Sequence, residues 1–166
     1  MIALIGYMGS GKSVLAVELA NRLDLALFDT DQMVYQLSGL PDMQAIFDKG
    51  GEEYLRALEL ETVQSLKHQK KAIIDGGGGL VTYEPSNEAL QEICKSIVYL
   101  RVPFELAQKR VGNDKNRPLF ADTEAARERY EQRQTIYEKA ATDIVEIHGQ
   151  TVEELADQVE ELISWK

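Results

Sequence analysis

Short apolar runs alternate along this chain with longer amphipathic or polar stretches. MIALIG (1–6) is a brief apolar run ending in glycine, the mark of a buried strand. ALFD (26–29), KAIID (71–75), SIVYLRV (96–102) and DIVEI (143–147) read the same way. Between them the period changes. Val14, Leu15, Val17, Leu19, Ala20 and Leu23 predict a packed helix over Ser13 to Leu23. Helical stretches follow through GEEYLRALELETVQSL (51–66), around 86–95, over FELAQKRV (104–111) and over 123–141. An amphipathic helix, TVEELADQVEELISW (151–165), closes the sequence, with Trp165 and its apolar stripe read as packing. Five short apolar strands alternating with helices predict an α/β fold, a parallel sheet covered on both faces and joined by right-handed crossovers. No repeat, linker or low-complexity segment interrupts it. One domain over 1–166 is expected, with 30–60 and 112–124 as excursions from the sheet.

Composition narrows the classes. The 166 residues are 44% apolar and 28% charged, enough to bury one core, which excludes wholesale disorder and collagen-like structure. The single cysteine, Cys94, allows no internal disulfide and no cysteine zinc cluster, and it reads as packing because no activating neighbour is evident. His68 and His148 have no partner at metal-ligand spacing and read as surface residues. No apolar run approaches the ~20 residues that span a bilayer, and the N-terminus lacks a basic leader. A cytoplasmic location and no membrane association are therefore expected.

The net charge of -10 argues against a nucleic-acid partner. The charge is uneven, however. Residues 101–139 carry nine basic and seven acidic side chains, a net of +2, and the remainder carries nine basic and 21 acidic, a net of -12. This is either chance on a helical surface or a set of cations converging on an anionic small molecule.

Gly6-Tyr7-Met8-Gly9-Ser10-Gly11-Lys12-Ser13 satisfies G-x-x-x-x-G-K-[ST], with an apolar strand before it and a helix after it. Glycines let the backbone fold around phosphate and turn its N–H groups inward, and the helix N-terminus adds partial positive charge. Lys12 reaches the β- and γ-phosphates, and the Ser13 hydroxyl can ligate Mg²⁺. The motif identifies nucleoside triphosphate binding but not the reaction. No guanine-reading N-K-x-D occurs.

Asp29 and Asp31 end the second strand at i and i+2. They share a face if the strand persists and diverge into separate roles if it ends. One could help hold magnesium and the other accept a hydroxyl proton; alternatively Asp31 caps the next helix. Arg56 lies among acids and could pair with Glu53 or Glu59. Gly76 to Gly79 close the third strand, at the sheet edge where ligands bind, and suggest a close approach to the backbone. Asp75 ends that strand as a Walker B aspartate would, so a metal role and a merely satisfied carboxylate both stand. Arg110, Lys115 and Arg117 border the polar loop 112–118. Arg133, one turn before Tyr137, could grip a carboxylate or pair with Glu131 or Glu138.

Taken in order, these motifs resemble shikimate kinase along nearly the whole chain: the phosphate loop at 6–13, D-x-D at 29–31, G-E-x-x-x-R-x-x-E at 51–59, a triple glycine within 76–79, R-x-x-x-x-x-x-R-P-L at 110–119 and R-x-x-x-Y at 133–137. The resemblance implies a P-loop fold of the nucleoside monophosphate kinase type, with helices on both faces of a five-stranded parallel sheet. It implies transfer of the ATP γ-phosphate to the 3-hydroxyl of shikimate, on the route to chorismate and the aromatic amino acids. By position, Asp31, Arg56, Gly78 and Arg133 would bind shikimate, the two arginines on its carboxylate and Asp31 on its ring hydroxyls, either as base or as a hydrogen-bond acceptor that positions them. Gly9, Ser10, Gly11, Lys12, Ser13 and Val14 would hold ATP, Arg110 would lie near the adenine, and Gln150 would be a further adenine contact. Lys12 and Arg117 would stabilise the moving phosphoryl group. Ser13 would ligate Mg²⁺, with Asp29 assisting through water, and 112–124 would be a lid.

Four departures stand out: Val14 where threonine is usual, Leu55 where phenylalanine is usual, four glycines rather than three, and Asp75. The glycine register 77–79 is preferred because Val81 then falls in place. Competing readings are a kinase for another small hydroxylated acceptor, such as gluconate or a nucleoside monophosphate, and a nucleotide-binding module with little turnover. Nothing marks an oligomer interface, so monomer is the default.

Overall fold

The computed structural model of the protein describes residues 1–112 and 123–164. Five strands, β1 (Ile2–Ile5), β2 (Ala26–Asp29), β3 (Ala72–Asp75), β4 (Ser96–Arg101) and β5 (Asp143–Glu146), form one parallel sheet in the order β2-β3-β1-β4-β5. The helices are α1 (Lys12–Leu23), α2 (Thr30–Ser38), α3 (Met43–Ser65), α4 (Glu84–Ile93), α5 (Phe104–Val111), α6 (Thr123–Ala140) and α7 (Val152–Ser164). The α/β architecture expected from the alternating pattern is the one observed. β3 is buried at every position, and β1 and β4 at all but one each, which is why their sequences run apolar without alternating.

The strand order places the site. From β1 the chain crosses to the edge strand β2, returns to β3, and then moves to the other side of β1 at β4. The order reverses beside β1, and ligands of open parallel sheets bind beyond the strand ends at such a reversal. The loops leaving β1 and β3 are the two glycine-rich segments. They stand side by side because Ile2, Ala3 and Leu4 pair with Ile73, Ile74 and Asp75.

Local signals explain most boundaries. α1 starts after Gly11, whose φ of 93° lies in the left-handed region. Its buried face is Leu15, Ala16, Leu19 and Ala20. Val14 and Val17, expected from the sequence to pack, are instead 60% and 49% exposed, since Val17 falls two residues from both Leu15 and Leu19 and so faces away from their stripe. α2 is capped by Asp29, whose carboxylate accepts from Gln32 N at 3.0 Å. The capping role weighed for Asp31 therefore belongs to Asp29, and Asp31 sits in the first turn. α3 is broken at Gly50–Gly51, where Gly51 has φ 65° and a methyl on Gly50 would lie 2.6 Å from Tyr54 Cβ.

The excursion over α2 and α3 has a small core of its own: Val34, Ile46, Leu55 and Leu58, with Tyr35, Leu40, Met43 and Tyr54 against it. The main core surrounds the sheet and takes in Leu155, Ala156 and Val159 of α7 as well as half-buried Cys94, whose thiol is pushed up to about 12 by burial. His68 and His148 are exposed. Lys115, Leu119 and Trp165 lie outside the described residues. Among the described residues, no helix is long and apolar enough to cross a membrane.

Ile74 is fully buried in the second strand from the edge. Ile74→Ala is expected to lower unfolding free energy by about 2–5 kcal/mol through lost transfer energy and a residual cavity. Urea titration checks it, and a loss below about 1 kcal/mol would contradict the packing described.

Candidate active site

The loop from Gly6 to Ser13 leaves β1 and enters α1. Gly6, Gly9 and Gly11 have φ of 145°, 80° and 93°, conformations that L side chains rarely adopt. A methyl on Gly9 would also lie 2.7 Å from Ala107 O, so α5 presses on the loop from outside. Lys12 folds back across it, its Nζ donating to Gly6 O at 3.0 Å and to Tyr7 O at 3.3 Å. Arg110 braces the other side, donating to Gly9 O at 3.3 Å and Ser10 O at 3.2 Å. Tyr7 fastens the loop to α6 through its hydroxyl, which donates to Ala126 O at 2.9 Å. The result is a rigid turn with a helix N-terminus and an ammonium group beside it, the electrostatic form that holds an anion.

Across from this loop, each of three glycines after β3 carries one functional side chain. A methyl on Gly77 would overlap Asp31 Oδ1, and one on Gly79 would lie 2.5 Å from Arg56 Nη1. The nearest side-chain atom to such a methyl on Gly78 would be Arg133 Nη1, at 3.9 Å. The register 77–79 therefore matches the three residues one to one. Gly76 belongs to the sheet: its N–H donates to Leu4 O at 3.0 Å, and a methyl there would lie 2.9 Å from that oxygen. The fourth glycine thus has a reason of its own.

Thr30 fixes the turn. Its buried hydroxyl donates to Asp75 O at 3.2 Å and accepts from Gly77 N at 2.8 Å. Sequence reasoning passed over this residue, and an isolated threonine at a strand end offers no signal by which to find it.

Arg56 is held on two sides. It donates to Glu59 at 2.6 Å and Glu52 at 2.8 Å, and Nη1 also reaches Gly79 O at 3.2 Å. Glu59 is thus one of the two partners the sequence offered; the second is Glu52, a full turn back, rather than Glu53. Glu59 is 4% exposed, and burial holds its carboxyl above the usual glutamate value although Arg56 pulls it down. Among the described residues Arg133 pairs with neither Glu131 nor Glu138; it donates to Gly78 O at 3.2 Å, while Glu138 is taken by Arg101.

β2 ends at Asp29, so Asp29 and Asp31 diverge. Asp29 stands directly opposite Asp75 in the β2–β3 register. Asp75 is 6% exposed, and burial raises its carboxyl, offset by a hydrogen bond to Ser13 and by the charge of Lys12.

These groups share one cleft of ≈ 250 Å³. Lys12, Ser13, Asp29, Asp31, Asp75, Arg56, Glu59 and Arg133 all line it, together with Gly76–Gly79. A more voluminous groove of ≈ 690 Å³ runs along β5 and α7 and contains none of them. Gln150 lines that groove instead. Its amide is engaged at both ends, accepting from His148 N at 2.6 Å and donating to Glu146 O at 2.9 Å. Arg117 and most of the expected lid lie outside the described residues.

The sequence model of the shikimate kinase family matches residues 8–164. A shikimate kinase of Streptococcus gordonii is 36% identical over 93% of this chain and 94% of its own length, and one of Clostridium botulinum is 40% identical over 86% and 85%. The chain belongs to the shikimate kinase family. Among solved structures, a shikimate kinase from Acinetobacter baumannii in complex with shikimate superposes with a TM-score of 0.90 at 30% identity, covering 99% of this chain and 93% of that one. The Aquifex aeolicus shikimate kinase gives 0.84 at 32%, covering 98% and 95%. Membership makes the chain an ATP-dependent kinase, a transferase, and its parallel sheet is the P-loop fold of the nucleoside monophosphate kinase type.

The glycine contacts generate a prediction. In Gly77→Ala and Gly79→Ala the obstacle is the far end of one side chain, which can swing aside. Both variants are expected to fold with a melting temperature close to wild type while Asp31 or Arg56 is displaced. Crystal structures of the variants check this, and an unmoved Arg56 in Gly79→Ala would refute the contact.

Proposed function

We propose that this chain transfers the γ-phosphate of ATP to the 3-hydroxyl of shikimate, giving shikimate 3-phosphate and ADP. One observation carries the reading: two guanidinium groups and the Asp31 carboxylate line the same small cleft as Lys12 and Ser13. Shikimate has a carboxylate for the first pair and ring hydroxyls for the second feature. Arg56 and Arg133 anchor the carboxylate by charge-assisted hydrogen bonds. Asp31 accepts the hydrogen bond of the attacking hydroxyl and is placed to receive its proton. The hydroxyl oxygen forms a bond to γ-phosphorus as the bond to the β,γ-bridging oxygen breaks, and the electron pair leaves on ADP. Lys12 follows the charge developing on the transferred group. The loop amides from Gly9 to Ser13 hold the remaining phosphates, with Val14 beside them. Arg110 and Gln150 keep their nucleotide roles from the resemblance, as does Arg117 on the phosphoryl group.

The donors present fit magnesium. Ser13 and Asp75 line the same cleft, and Asp29 stands opposite Asp75 with one carboxylate oxygen on the α2 cap and a second to offer. Ser13, with Asp29 and Asp75 beside it, would hold the ion, which would supply positive charge to the phosphates. The reading includes a single kinase domain over 1–166, supported by the one continuous five-stranded sheet, and takes it to act as a monomer in the cytoplasm.

ADP release on adding ATP, Mg²⁺ and candidate acceptors tests the proposal. Strong stimulation by shikimate and none by gluconate or nucleoside monophosphates is expected; nucleotide binding without acceptor-dependent turnover would overturn it. Arg56→Ala and Arg133→Ala should each weaken shikimate binding by about 1.5–3 kcal/mol, roughly 10–150-fold, and leave ATP binding near normal. Lys12→Ala should abolish most turnover.

A pH effect follows from Glu59. Its raised carboxyl takes up a proton before exposed acids as pH falls, and Arg56 then loses the group that orients it. The KM for shikimate is expected to climb as pH falls, starting before ordinary glutamates titrate, while kcat still holds. Glu59→Gln should flatten that limb; a limb that persists unchanged in the variant assigns it elsewhere.

A further inference from the structure

Tyr137 lies one helical turn beyond Arg133 on the same face of α6. Its side chain is fully buried, yet its hydroxyl donates to Gly78 O at 2.6 Å. Arg133 donates to the same carbonyl at the longer distance of 3.2 Å. Two donors from one face of α6 thus converge on a single carbonyl of the cleft lining. A buried carbonyl must be partnered, and Gly78 O has room for both donors. The tyrosine ring is fixed by Tyr99, at 5.1 Å between centroids, and Tyr99 is in turn tied to Gln134 at 2.6 Å.

We infer that Tyr137 is a positioning residue for the acceptor clamp: its hydroxyl holds the Gly78 carbonyl and steers the Arg133 guanidinium, so that Arg133 can turn its remaining N–H groups to the acceptor carboxylate. This rests on the shikimate-binding reading above. Burial pushes the Tyr137 hydroxyl up to about 12, so it remains a donor across the working pH range. Without that hydroxyl, Gly78 O would depend on Arg133 alone, and the guanidinium would be drawn from the substrate toward the backbone. Neither group need touch the reacting atoms for this to matter.

Tyr137→Phe keeps the ring and its contact with Tyr99 and removes only the hydroxyl. The expected result is a KM for shikimate raised roughly 3–10-fold, the effect of one neutral hydrogen bond, with kcat and the KM for ATP within about 2-fold of wild type. A general loosening of the fold would move ATP and shikimate parameters together. Combining Tyr137→Phe with Arg133→Ala separates the routes further: because the tyrosine acts through Arg133, its substitution should add little to the loss already caused by Arg133→Ala. Calorimetric titration of shikimate into each variant gives the same comparison without turnover. An unchanged KM for shikimate in Tyr137→Phe, or full additivity in the double variant, would overturn the inference while leaving the kinase assignment intact. Wild-type protein that binds ATP but neither binds shikimate nor turns it over would instead remove the assignment and this inference with it.

Discussion

The cleft depends on how closely side chains can approach the backbone after β3. Where most residues carry a Cβ, Gly77 and Gly79 have an Asp31 oxygen and an Arg56 nitrogen in or near that space, and Gly78 has Arg133 at van der Waals distance. Three polar groups from three helices therefore meet within a cleft of ≈ 250 Å³. Glycine runs are entropically costly and weaken a strand. Here the first of them continues the ladder with Leu4, and Thr30 clamps the second through its amide. Those bonds restrain the turn without adding volume. The geometry of the cleft is thus set by backbone shape first and by side-chain chemistry second.

Electrostatics then decides what the cleft can receive. The protein as a whole is acidic, at -10, and long-range attraction for anions is not expected of it. Local arrangement overrides the total. Lys12 and Arg110 are committed to loop carbonyls, Arg133 to Gly78 O, and Arg56 to Glu59 and Glu52. Each cation is fixed in place before any ligand arrives, which lowers the ordering cost of binding. The acids serve the same end. Glu59 is buried and fixes Arg56, whereas Asp31 stands on the cleft wall.

Much of this was legible in the chain. The parallel sheet follows from five uninterrupted apolar runs, and the phosphate loop from eight consecutive residues in a strand-to-helix setting. Arg56, Asp31 and Arg133 are far apart in sequence, and no local pattern says that they meet; the ordered set of motifs did. Other features had no local sign. Val14 and Val17 look like core positions until the helix phase is fixed by Leu15 and Leu19. The sequence offers Asp31 as the cap of the next helix, and only the end of β2 at Asp29 gives that role to Asp29 instead. Thr30 is invisible because its role is set by two backbone groups some 45 residues away in the chain. Gln150 folds its amide onto its own loop, a choice that the free energies of neighbouring backbone groups make and that composition does not record.

The acceptor side is also the part built to yield. The sheet core is extensive, but the core of α2 and α3 rests on Val34, Ile46, Leu55 and Leu58. Regions with few buried apolar contacts open at lower free energy than the global fold. The break at Gly50–Gly51 separates the first turns of α3, which bring Met43 and Phe47 to the cleft, from the later turns that carry Arg56 and Glu59. Phe47 is 41% exposed there, an apolar ring left at the rim of a polar site. The two glycines place that rim on a segment separate from the ion pair beyond it, and Arg56 is tied to Gly79 and so to the sheet. Leu55, smaller than the aromatic residue usual in the family, sits in the same small core and removes packing area from it. Arg56 and Arg133 both bond to carbonyls of the turn after β3, so these cations are anchored beside the sheet while Phe47 stands at the exposed rim.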